Sequence, residues 1–181
     1  MASPKSLQDL FLAEARDLYG AEQQLLEAMP KLAETATSEE LRAAIESHLE
    51  ETRTHVDRLE QVFDLLDVRH DGNYCAGIAG IIEEVSDLLF EDVESSVMDA
   101  AIVASAQCAE HYEIGAYGSL IAWANALGRE EIAAVLALTL KEEKAADARL
   151  TALAEEGING AAAVGRASTS TRHTATEKAR V

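Results

Sequence analysis

Four long stretches of this chain repeat their apolar residues at a helical period, and each sets at least one acid on that apolar stripe near its middle. Glu22 shares a stripe with Leu18, Leu25 and Met29. Glu51 lies between His48 and His55, three residues after one and four before the other. Glu110 and Glu113 lie with Ala106, Tyr117 and Leu120, while Glu143 and Asp147 follow Leu136 and Leu140 and precede Leu150. Residues three and four apart occupy one face of a helix. Packing these helices on their apolar faces therefore carries carboxylates into the core. An ionised acid left there unpaired costs several kcal/mol. Whatever fold the chain adopts must answer that charge.

The element pattern is all-α. "SLQD" at Ser6–Asp9 reads as a capping-box-like start, and the period from Leu7 predicts a helix to about residue 35, with Pro30 expected to kink or break it. "TSEE" at Thr37 opens a second helix that ends near "RHDGNY", where Asp-Gly marks a turn. Residues 71–93 read as a crossover carrying one short helix. A third long helix spans about 95 to 127 and stops at Gly128; a fourth spans about 129 to 156 and stops at Gly157. Two helix pairs joined by a long middle connection are the ferritin-like form of the four-helix bundle. The bundle is expected over residues 1–159, and a disordered, mildly basic tail over 160–181.

The two halves resemble each other. "LYGAEQQLLEA" aligns with "AQCAEHYEIGA", placing Glu22 opposite Glu110. "HLEETRTHVDRL" aligns with "LKEEKAADARLT", placing Glu51 opposite Glu143 and His55 opposite Asp147, although this second alignment also slides by one residue. Two similar halves, each aiming acids at one depth, suit a pair of cations. Arg53, Arg58, Lys144 and Arg149 fall mostly on outward positions and do not cover the acids. Two divalent cations supply the missing charge, the known use of inward Glu and His in such bundles. The expected metal ligands are Glu22, Glu51, Glu110 and Glu143, with Glu113, Asp147, His48 and His55 as further candidates. Glu46, Glu50 and Glu142 read as a solvated face. Tyr19, Tyr112 and Tyr117 read as core residues or supports of the site, and Cys75 as packing in the crossover.

Charge bounds the partners. The formal net charge is −18, with 33 acids against 15 Lys and Arg, and Arg166, Arg172, Lys178 and Arg180 lie in the last stretch against a single acid, Glu177. So acidic a body repels nucleic acid and anionic membranes and favours cations. The two cysteines form no CxxC pair and no disulfide framework. The opening "MASPKSLQDLF" has no apolar core of a secretory signal, and no stretch approaches the ~20 apolar residues that span a bilayer. The expectation is a cytoplasmic protein.

Four motifs in order, "DLFLAEARDLYGAEQQLLEAMPKL", "HLEETRTHVDRLEQVF", "CAEHYEIGAYGSL" and "LTLKEEKAADARLTAL", together with Cys75, resemble the YciE/YciF-like family of ferritin-like proteins over residues 6–156. The resemblance implies a stress-linked protein with a di-metal bundle, usually a homodimer, and places Glu22, Glu51, Glu110 and Glu143 at the core of the site, with His48, Glu113 and Asp147 nearby. The chain departs from the usual Glu-x-x-His of ferritin-like helices: His48 precedes Glu51, and the fourth helix has no histidine, with Asp147 in its place. That makes the site harder in ligand character and tolerant of manganese as well as iron. Three roles stand side by side: Fe(II) oxidation or peroxide detoxification at two iron or manganese ions, using O2 or peroxide; metal storage without turnover; and a non-catalytic helical interaction protein. No CxxC pair is present to serve as an internal electron donor of the rubrerythrin kind.

Overall fold

The Ser6 hydroxyl accepts the Asp9 N–H at 3.1 Å, which starts α1 (Leu7–Thr35) one turn before its first buried residue, Phe11. Ser38 repeats the device, accepting the Leu41 N–H at 3.2 Å at the head of α2 (Glu39–Leu65). The crossover carries α3 (Ala76–Leu88), and α4 (Ser95–Ala126) and α5 (Glu130–Leu153) form the second hairpin. A π-helical turn, Ala154–Ile158, leads into α6 (Asn159–Ser170). This computed structural model describes residues 3–170, and among them there is no strand. α1 packs on α2, α4 on α5, and the pairs meet through α2 with α5 and α1 with α4, closing a ferritin-like four-helix bundle. No helix among the described residues is long and apolar enough to cross a membrane.

Small side chains let the helices approach. Ala15, Ala21, Ala109 and Ala116 are buried beside Phe11, Phe63, Leu18, Leu59, Leu120 and Leu136. Two polar links fix the corners. Asp99 of α4, itself buried, accepts the Thr37 N–H at 2.8 Å, the Thr37 hydroxyl at 2.6 Å and the Ser38 N–H at 3.0 Å, so it ties α4 to the bend between α1 and α2. The crossover is stitched to α1: the Asn73 N–H donates to the Arg16 carbonyl at 2.9 Å. The Cys75 N–H donates to Gln24 Oε1 at 2.8 Å, and Gln24 Nε2 donates back to the Cys75 carbonyl at 3.3 Å. Gly20 permits this approach, since a Cβ there would lie 1.7 Å from the Asn73 carbonyl oxygen.

Three details differ from expectation. α1 runs unbroken through Pro30, which sits on the exposed side close to the helix end, so the one hydrogen bond it forfeits faces water. Gly128 does end α4, at φ +69°. Gly157 does not end the chain's helical run: it lies inside the π turn, and α6 continues and packs against α4. The first part of the expected tail is therefore helical to Ser170; residues 171–181 lie outside the described residues.

Candidate metal centre

Midway along the bundle, each long helix turns a polar residue inward. α1 supplies Glu22 and α5 supplies Glu143, both 0 % exposed; α4 supplies Glu110 and Glu113 at 3 % and 1 %. α2 supplies His55, fully buried, and His48 two helical turns before it. The side chains form two groups whose donor atoms lie within 4.8 Å of one another: His48, Glu110, Glu113 and Glu143, and Glu22, His55 and Glu143. Glu143 belongs to both. Its two oxygens, with Glu22 Oε2, Glu110 Oε2 and Glu113 Oε1, are buried with no hydrogen-bond partner. Buried polar atoms in folded proteins are overwhelmingly partnered, so five unpartnered carboxylate oxygens facing one another fit a cation site. Carboxylate and imidazole donors in this mix suit iron, manganese or zinc.

The histidines stand between the acids. His48 Nε2 is 3.1 Å from Glu110 Oε1 and 3.7 Å from Glu143 Oε2, and its Nδ1 is 3.4 Å from Glu51 Oε2. His55 Nδ1 is 2.9 Å from Glu143 Oε1 and 3.6 Å from Glu22 Oε1, distances of an ion contact without the alignment of a hydrogen bond. Protonation follows from burial and neighbours. Burial, then the charge of Glu143, pushes Glu110 up to about 11. Burial first, then Glu22, raises Glu113 well above the carboxylate range. Glu22 is raised by burial against the opposing pull of His55. Burial works to lower His55, but Glu143 and Glu22 outweigh it and bring His55 to about 10. Glu143 goes the other way: burial opposes ionisation, yet His55 and His48 hold it below the usual range. Without metal, burial and mutual repulsion favour the neutral form of Glu22, Glu110 and Glu113, while the histidines favour the ionised form of Glu143.

A second layer fixes these side chains. The Tyr117 hydroxyl donates to Glu22 Oε1 at 2.5 Å, inside the core. Arg58, which the sequence places outward, turns in over His55. Its Nη2 donates to Glu142 Oε1 at 3.0 Å, its Nη1 contacts Glu142 Oε2 and donates to Thr139 Oγ1 at 3.2 Å, and Glu142 Oε2 lies 3.0 Å from His55 Nε2. Glu142 is thus no solvated acid; it is the clamp between Arg58 and His55. Glu51 sits at the matching place on the other side, 3.4 Å from His48 and 3.9 Å from Arg149. Neither Glu51 nor Asp147 joins the two donor groups. Asp147 accepts from Gln107 Nε2 at 3.3 Å and lies 3.3 Å from His111.

Burial also fixes the register of the repeat. Leu41, Ile45, Thr52, His55 and Leu59 of α2 match Ile132, Leu136, Glu143, Ala146 and Leu150 of α5, all buried. This is the alignment slid by one residue. It pairs Glu51 with Glu142 and Arg58 with Arg149, so the two Glu–Arg contacts are related by the repeat. The signal lay in the sequence, as two arginines at corresponding places, but only burial chooses between the registers.

Comparison with known proteins places the chain. Residues 6–163 match the profile of a family described as a domain of unknown function, DUF892. Protein YciF of Escherichia coli K12 is 39% identical over 156 residues, 86% of this chain and 94% of that one. The chain belongs to the DUF892 family, with YciF. The crystal structure of the E. coli stress protein YciF superposes with a TM-score of 0.82, covering 86% of this chain and 99% of that one. YcfI of Rhodopseudomonas palustris, described as "a putative structural protein", shares 45% identity with a TM-score of 0.81 over 83% of this chain and 96% of its own. A Xanthomonas campestris protein at 20% identity and a TM-score of 0.68 over 90% of this chain and 99% of its own shares the fold.

Ferritin-like di-metal bundles take Glu from two helices and Glu-x-x-His from the other two. In this DUF892 chain that motif is divided. α2 keeps the histidine of Thr52-x-x-His55 and α5 keeps the glutamate of Glu143-x-x-Ala146. Glu113 and His48 stand beside this reduced set, bringing a further carboxylate and a further imidazole within reach.

Proposed function

We propose that this protein is a di-metal carboxylate protein, holding two iron or manganese ions and oxidising Fe(II) with dioxygen or peroxide in a stress response. The observation that carries the reading is Glu143, fully buried, with neither oxygen hydrogen-bonded and each donor group built around it. His48, Glu110 and Glu113 would hold one ion, Glu22 and His55 the other, and Glu143 would serve both. When bound, paired ferrous ions supply two electrons; dioxygen takes these with two protons to leave as peroxide, or peroxide takes them to leave as water.

The chain's own residues set the conditions. Tyr117 orients Glu22 by its hydroxyl. Arg58 and Glu142 hold His55 by its outer nitrogen, which leaves Nδ1 facing Glu22 and Glu143. Such outer partners set ring orientation and ligand basicity. Protons on Glu110, Glu113 and His55 must leave as cations enter, and the acidic surface draws those cations in.

A second reading, a non-catalytic bundle, has its own support. His48 and His55 already sit between the acids, so the metal-free core carries part of its own compensation. Metal analysis separates the two. Protein purified without chelator should carry about two iron or manganese ions per chain, and Glu143→Ala should lose them. A chain that stays metal-free after anaerobic Fe(II) loading, and oxidises none, is the non-catalytic bundle.

A further inference from the structure

Beside the donor cluster lies a cavity of about 50 Å³. Its inner end is formed by His48, Glu110 and Glu113; its walls include Met29, Ile45 and Ile102. Three more wall positions, Ala106, Ala109 and Ala146, are alanine, so the space exists because the side chains there are the smallest available. Ile81 and Ile82 of α3, both partly exposed, and Arg149, exposed, line its outer side. The cavity thus spans from the partly exposed crossover helix to the face of the metal centre.

We propose that this cavity seats dioxygen beside the His48, Glu110 and Glu113 group and selects it over hydrogen peroxide. The inference rests on the metal reading above and names its oxidant. Size gives the first argument. Apolar cavities of ~150 Å³ take up benzene or xenon and stay dry; a cavity near one third of that volume suits a diatomic gas and is too small for a ring or a long alkyl chain. Lining gives the second. A water or peroxide molecule needs two to four polar partners to be held. Between its ends the cavity is walled by isoleucine, leucine, methionine and alanine, with Ser105 the one polar wall residue, its hydroxyl proton already given to the Ile81 carbonyl at 3.3 Å. Peroxide would shed its hydrogen bonds to water along these walls without replacement. Dioxygen has no such bonds to lose. Apart from Ser105, the polar side chains of the lining stand at its two ends, Arg149 at the outer one and His48, Glu110 and Glu113 at the inner one.

The test has a readout that needs no metal. Xenon pressed into crystals of the metal-free protein should appear in the cavity, and should be absent in Ala106→Leu. Ala106 is half-buried, so the larger side chain is tolerated more readily there than at Ala109; Ala106→Val provides a milder filling if the leucine chain fails to fold. On Fe(II)-loaded protein, Ala106→Leu should slow oxidation by dioxygen about tenfold, equivalent to ~1.4 kcal/mol. Oxidation by added hydrogen peroxide should change less than about twofold, ~0.4 kcal/mol on the same scale. Equal slowing with both oxidants, or no slowing with dioxygen, overturns the selection. Xenon absent from the wild type while Fe(II) is taken up and oxidised overturns the cavity's role alone. Xenon bound in a chain that takes up no Fe(II) overturns the metal reading, and the oxidant selection with it.

Discussion

Glu143 is the residue on which the site turns, because it alone belongs to both donor groups. Glu143→Ala should therefore abolish stoichiometric metal. Glu22→Ala should spare the His48, Glu110, Glu113 and Glu143 group and keep about one ion per chain; elemental analysis of the two variants side by side decides it, and equal losses would contradict separate half-sites. Tyr117 is tested without metal. Tyr117→Phe leaves Glu22 Oε1 buried without its hydroxyl donor, which should cost about 1–3 kcal/mol in urea unfolding of the chelated protein. An unchanged midpoint would mean that the Tyr117 hydroxyl does not support Glu22. That Glu22, Glu110, Glu113 and Glu143 face the core was legible in the sequence, because an acid on an apolar stripe is a conflict that periodicity exposes. His48 and His55 were legible only as candidates, and Glu51, expected among the core ligands, lies outside both donor groups. Arg58 and Glu142 were not legible. A long arginine at a boundary position can point either way, and a helical repeat read one residue out of register exchanges Glu142 with Glu143.

The helices themselves were readable from period and caps to within a few residues, since each buries one continuous apolar face. What failed was the meaning of a glycine. Gly128 stops α4 because the chain reverses there at positive φ. At Gly157 the chain widens into a π turn and continues, and α6 packs on α4 despite a small, polar sequence with no clear period. The crossover depends on a glycine in another way. Gly20→Ala drives a methyl group into the Asn73 carbonyl, and the neighbour is backbone, so the crossover must shift. The expected cost is about 1–3 kcal/mol, with faster amide hydrogen exchange across residues 71–93; exchange left at the wild-type rate would show that the crossover is not held at Gly20. Asp99→Ala removes three hydrogen bonds at the bend before α2. Loss of a helix cap costs about 0.5–2 kcal/mol, and loss of this tie between hairpins should put the variant at or above the top of that range in thermal unfolding.

At the scale of the whole molecule, the buried cluster makes stability depend on pH in a direction opposite to that of paired surface acids. Glu110 ionises near 4.5 when unfolded, whereas burial and the charge of Glu143 push it up to about 11 in the folded chain. The folded chain then binds the extra proton throughout that window, and stability falls as pH rises through it. His55 acts in the same sense between 6.5 and about 10. Glu143, held low, acts oppositely, losing its contribution only as the solution turns acid. Between pH 6.5 and 9.5 the first two dominate, so the Tm of the chelated protein should fall, at roughly 2–4 °C for each kcal/mol lost. The net charge of −18 adds self-repulsion, but that is a surface effect, and salt near 0.5 M screens it to within a few ångströms. Run in that salt, the fall in Tm should persist, because the buried groups are screened far less. Manganese should reverse it. A bound cation replaces the same protons, so the Tm gained on adding Mn(II) should grow from pH 6.5 to 9.5 in the wild type and vanish in Glu143→Ala. A Tm that holds level or rises with pH in chelator would show that the acids are not buried together as protonated groups. A fall with pH that Mn(II) leaves untouched would show that they are, in a bundle that does not bind this metal.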